Sequence, residues 1–107
     1  MAKNFLGEFE ELVLLTVAAL GTEAYGASVG QDIVERTGRP VQLSAVHVAL
    51  YRLEEKGLVS SEMGGSTAER GGRRKRLFTI TSSGLRVLGE IREVREELWK
   101  LIPKFNP

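Results

Sequence analysis

Apolar residues run almost without interruption from Leu12 to Leu20, "LVLLTVAAL", and a helix of that composition has no polar face to turn to water. The segment Gly7 to Leu20 therefore predicts a helix central to the core. Glu8, Glu10 and Glu11 stand at the positive end of its dipole, and Gly21 suits its stop. A second helix is predicted from about Gly26 to Thr37, with Val29, Ile33 and Val34 as its apolar stripe and Gly38 and Pro40 ending it. From about Ser44 to Lys56, Val46, Leu50 and Leu53 recur at spacings of four and three, with Ala45 and Ala49 alongside. Gly57 stops this third helix and Leu58 turns back to the core. The period then changes. Phe78 and Ile80 alternate with Leu77 and Thr79, which predicts strands at about Val59 to Met63 and Lys75 to Thr81 around a long loop. Thr81 or Ser82 caps a last helix, from about Ser83 to Leu101.

The order helix, helix, helix, hairpin, helix, with a short turn between the second and third, predicts a mainly α fold with a β-hairpin. That is a winged helix-turn-helix. Residues 1–82 form the winged unit, and residues 83–107 form a C-terminal helix and tail. At 107 residues the chain is long enough for one small core. It has no cysteine and one histidine, so disulfides, thiolate metal sites and histidine-rich metal sites are excluded. No nucleophile, base and orienting group assemble and no phosphate-cradling glycine motif is present, so neither an enzyme nor a cofactor is expected. The apolar run is far short of the ~20 residues that span a bilayer. Only Lys3 is basic where a signal peptide would lead with positive charge. A soluble cytoplasmic protein is the expectation.

Two segments carry candidate chemistry. In the third helix Ser44, His47, Val48 and Tyr51 fall at spacings of three, one and three, opposite Val46, Leu50 and Leu53, with Arg52 beside them. In a helix-turn-helix this is the face that meets DNA. Serine and histidine donate to bases or phosphates, valine touches a thymine methyl, and a tyrosine hydroxyl bonds phosphate. An ordinary solvated helix face is the alternative. The loop "ERGGRRKR" speaks more strongly. Arg70, Arg73, Arg74, Lys75 and Arg76 are five cations in a chain of net charge +1, so the remainder is net acidic. Such a wing suits the phosphate backbone or the minor groove, although a loop that merely aids solubility has the same composition. Tyr25 stands at the start of the second helix, whose N-terminus suits a phosphate. The same tyrosine can equally pack there as a cap.

The last helix repeats Val87, Ile91, Val94, Leu98 and Leu101 at four, three, four and three, the spacing of a helix seam, while Leu85 and Leu88 can dock it on the core. The stripe predicts a homodimer; packing back onto the first helix is the alternative. Trp99, beside the seam, is an interface anchor or the lining of a pocket between subunits. With no separate ligand domain, a small apolar effector would have to lodge there.

Taken in order, "LGEFEELVLLTVAAL", "AYG", "LYRLEEKGLV" and "ERGGRRKRLFTIT" followed by "GL" resemble the PadR family of bacterial transcriptional regulators, over about Leu6 to Leu101. The single C-terminal helix resembles its small subfamily. The resemblance implies a dimeric winged-helix regulator, usually a repressor, with the C-terminal helix in the dimer interface and double-stranded DNA as partner. It also implies phosphate contacts from the tyrosine matched by Tyr25 and from a tyrosine whose place His47 takes here. Tyr51, one turn on, is likewise a departure, and can supply the hydroxyl that His47 lacks. The other function this fold accommodates is a protein–protein interaction module that does not bind DNA.

Overall fold

The computed structural model describes residues 6–64 and 74–103. Four helices and one hairpin follow in order: α1 (Glu8–Leu20), α2 (Gly26–Thr37), α3 (Leu43–Glu55), β1 (Val59–Met63), β2 (Arg76–Ile80) and α4 (Ser82–Lys100). The predicted order and fold class hold. A 3-10 turn at Gly21–Glu23, which the hydrophobic pattern does not signal, joins α1 to α2.

The ends are built from local chemistry. Gly21 leaves α1 with a φ of 61°, a region that a side chain would strain. At α2 the Ser28 hydroxyl accepts from the Tyr25 N–H at 3.0 Å and donates to the Glu23 carbonyl at 2.6 Å, which fixes the chain direction into the helix. Helix α3 closes through Gly57 at φ 78°: the Gly57 N–H donates to the Glu54 carbonyl and the Leu58 N–H to that of Leu53. This 5→2 and 6→1 pair satisfies two terminal carbonyls and returns Leu58 to the core. Thr81, one of the two predicted caps, accepts from the Gly84 N–H at 3.0 Å and donates to the Gly57 carbonyl at 2.8 Å, so one side chain ties α4 to the end of α3.

The core gathers Val13, Leu14 and Val17 of α1, Val29 and Ile33 of α2, Val46, Leu50 and Leu53 of α3, and Phe78 and Val87 from the hairpin and α4. Burial of this apolar area is the main stabilising term. The strands pair antiparallel, Val59 opposite Ile80 and Met63 opposite Arg76. The Phe78 N–H donates to the Ala24 carbonyl at 2.8 Å, so the hairpin is bonded to the segment that leads into α2.

Several expected positions are corrected. Val34 is exposed although the pattern assigns it to the apolar stripe of α2, because Val29 and Ile33 already fill the surface facing α1 and α3. Ala45 is also exposed, at the rim of α3. On α4, Leu85 points to solvent. Val87, expected in a dimer seam, is 1% exposed within its own chain, and Ile91 is half-buried against the same core. The cause is Gly84: an added Cβ there would meet the Leu58 carbonyl oxygen, so only glycine lets α4 lie this close to the start of the hairpin. The first half of the stripe is therefore core. The second half continues past it, with Val94, Leu98 and Leu101 at 60%, 58% and 72% exposed and Trp99 beside them.

No single helix among the described residues is long and apolar enough to cross a membrane.

Candidate nucleic-acid interface

Helix α3 buries Val46, Ala49, Leu50 and Leu53. A 3.6-residue period then turns Ser44, Val48 and Tyr51 outward, and all three are exposed. His47 lies at the edge of this face and is half-buried. Its ring occupies the space beside Gly26, where a Cβ would collide with the imidazole, and its Nδ1 is sealed without a hydrogen-bond partner.

From His47 an aromatic chain runs to the hairpin. His47 and Tyr51 stack with ring centroids 6.3 Å apart and planes at 21°, and the Tyr51 ring meets Phe78 edge-on at 6.0 Å. Phe78 is fully buried, so it anchors the Tyr51 ring from below. On the other side the Lys75 ammonium lies 4.2 Å over the Tyr25 ring. Tyr25, His47, Tyr51 and Lys75 thus join the start of α2, the outer face of α3 and the base of the hairpin into one surface. Sequence reasoning missed Gly26 and Phe78. Glycine at a helix start and phenylalanine in an alternating strand both read as ordinary, and their roles depend on a neighbour more than twenty residues away.

The cations divide. Arg74, Lys75 and Arg76 are exposed where the hairpin begins its second strand. Arg76 donates to the Ser61 hydroxyl at 3.0 Å, which in turn donates to Glu54 at 2.7 Å, so that guanidinium is held against the hairpin. Arg70 and Arg73 lie outside the described residues. Arg52 is exposed beside the other outer residues of α3, and its guanidinium comes within 3.9 Å of Glu10 of α1, which Lys56 bonds more closely at 2.7 Å. Glu8 and Glu11 pair similarly with Arg39 and Arg95. The first turn of α1 therefore receives cations from α3, α4 and the α2–α3 turn. The Arg39 hydrogen bond and charge hold the Glu8 carboxyl below the usual carboxylate range.

Among the described residues no cluster of histidine, aspartate and glutamate could hold a metal ion. A surface hollow of about 230 Å³ lies between Phe9, Arg39, Val41 and Ala45, at the α2–α3 turn, and Trp99 does not line it.

The model of the Transcriptional regulator PadR-like family matches residues 14–90. Among solved structures, a PadR family transcriptional regulator from Eggerthella lenta is 27% identical, with 92% of this chain and 88% of that one covered and a TM-score of 0.64. A PadR-like transcription factor from Bacteroides fragilis is 25% identical, with 84% and 82% covered and a TM-score of 0.68. A transcriptional regulator from Clostridium thermocellum shares the fold at 23% identity, with 92% of each chain covered and a TM-score of 0.69. A search of curated proteins returns no match.

Proposed function

Since the chain belongs to the PadR-like family of transcriptional regulators, which are DNA-binding regulators and not enzymes, we propose that it is a homodimeric repressor that binds an inverted-repeat operator. One observation carries the reading: the start of α2, the outer face of α3 and the cationic base of the hairpin meet on one surface, joined through Tyr25, His47, Tyr51 and Lys75. A major groove admits a helix, and α3 fits it with Ser44, His47, Val48 and Tyr51 toward the bases and flanking phosphates. The N-terminus of α2 and the Tyr25 hydroxyl would face one phosphate. Arg74, Lys75 and Arg76 would follow the backbone beside the groove, and the same role is proposed for Arg70 and Arg73, which lie outside the described residues. Arg52, exposed at the end of the same face, would add a phosphate contact.

The second copy belongs at the far half of α4. Val94, Leu98 and Leu101 continue the face that docks the helix on its own core, and Trp99 flanks them. In this reading residues 1–82 bind DNA and residues 83–107 dimerise, although the first turns of α4 pack on the core of the winged unit. A small apolar effector, where one exists, would lie near Trp99 at that seam. The work of such a protein is cytoplasmic. A dimer of this kind covers half-sites about 34–36 Å apart, or a multiple of that.

Selection of bound fragments from the native genome tests the proposal. Enrichment of a palindromic sequence is the expected result. Failure to enrich any sequence would leave the winged unit as a protein-interaction module and overturn the repressor reading.

A further inference from the structure

Resting on the DNA-binding reading, we propose that α3 reads thymine by its 5-methyl group, through an apolar contact made by Val48 with Tyr51 at its side. A lone exposed apolar residue carries no message, because much of any protein surface is apolar. Here two stand three residues apart on the outer face of one helix, Val48 51% exposed and Tyr51 46% exposed. The Tyr51 ring is also held in place, stacked on His47 on one side and edge-on against buried Phe78 on the other. A rigid apolar platform in this position has one natural counterpart in a major groove. The thymine methyl is the only hydrocarbon group that base pairs present there.

The polar inventory of the same face points the same way. Arginine and lysine read guanine by paired hydrogen bonds, and asparagine and glutamine read adenine. None of these stands among residues 44, 47, 48 and 51. The arginine of α3, Arg52, stands in the last turn of the helix, where it suits a phosphate more than a base edge. Gln42, at the exposed N-cap, is able to make a two-bond contact with adenine, which would stand beside the methyl contact and not replace it. Cations cluster instead at the hairpin, where they suit phosphates. The division is clear: charge for position at the wing, and shape and methyl groups for sequence at the helix.

The test uses the operator obtained by genomic selection, with each thymine replaced in turn by deoxyuridine, which deletes only the methyl group. Binding of the full-length protein is measured for each duplex. At least one position per half-site should lose about fourfold in affinity, the value of one methyl group removed from an apolar contact. Val48→Ala should lose affinity for the natural operator and become much less sensitive to uracil at that position. Val48 is exposed, and a circular dichroism spectrum matching that of the parent shows that the variant is folded. Tight operator binding with no uracil sensitivity at any position would overturn the thymine proposal and leave the DNA-binding reading intact. Retained sensitivity at every position in Val48→Ala would also overturn it, by assigning the methyl contact to another residue. Absence of any operator would remove the underlying reading, and this proposal with it.

Discussion

Replacement of Gly26 by alanine places two opposing effects in one residue. Gly26 has an ordinary negative φ and opens a helix, so alanine should favour the folded state, by up to about 1 kcal/mol at an interior position and less here at the first turn. Against this, an added Cβ would overlap the imidazole of His47: it would lie 2.8 Å from Nε2 and 3.1 Å from Nδ1, with Cε1 nearer still. Three ring atoms are involved, so a small rotation cannot clear all of them. The ring is also confined by Tyr51 and by the surroundings that seal Nδ1. Overpacking of this kind costs about 1–3 kcal/mol, and the steric effect wins. Gly26→Ala should therefore destabilise the protein by about 1–2 kcal/mol, a fall in Tm of about 5–10 °C for a domain of this size. The background decides the cause. In His47→Ala the space is empty, and Gly26→Ala should become neutral or slightly stabilising. The assay is denaturant unfolding of the four proteins of the cycle at one fixed concentration, which yields a coupling of about 1–3 kcal/mol. Equal destabilisation in both backgrounds would refute the reasoning, because the imidazole would then not be what the new methyl group meets.

Three further outcomes rest on other parts of the fold. Gly84→Ala drives a Cβ into the Leu58 carbonyl oxygen, which is pinned by the Thr81 N–H at 3.0 Å, and leaves it 2.7 Å from Ile80. Backbone cannot yield as a side chain can, so a loss of about 3 kcal/mol in denaturant unfolding is expected, larger than that for Gly26→Ala. Leu98→Glu should leave the folded subunit nearly unchanged, within about 0.5 kcal/mol for an exposed site, while sedimentation shows a dimer converted to a monomer. The Glu8 carboxyl titrates below its usual range because Arg39 hydrogen-bonds to it and attracts it. A lowered folded-state pKa means that its stabilisation is complete above the unfolded-state value and fades as pH falls through the folded one. Thermal melts of parent and Glu8→Gln should accordingly differ slightly at neutral pH and converge on acidification. A gap that widens in acid would reverse the sign.

Much of this architecture is legible in the sequence because it follows from local rules. The all-round apolar run of α1, the period of three and four in α3 and the alternation of β2 depend only on the chain's own geometry. So do the stops at Gly21 and Gly57 and the cap at Thr81. Helical phase likewise predicts the outward turn of Ser44, Val48 and Tyr51. The pattern fails where a partner in space decides. Val87 and Val94 occupy equivalent places in one stripe, yet the first is core and the second is bare, because Gly84 seats only the first turns of α4 on the domain. The support of Tyr51 by Phe78 and the close fit of His47 against Gly26 are likewise contacts between elements, and no spacing within one element reveals them.

The central claim is that the surface joining α3 to the base of the hairpin grips the DNA backbone. The salt dependence of operator binding tests it most directly, because each neutralised phosphate releases counterions. For the parent protein log Kobs should fall steeply and linearly with log salt concentration. Replacing Arg74 and Lys75 together by alanine should flatten that slope by about 1.8, or about 0.9 for each phosphate no longer neutralised, and weaken specific and nonspecific DNA alike. An unchanged slope in the double variant would remove the base of the hairpin from the DNA interface and contradict the account.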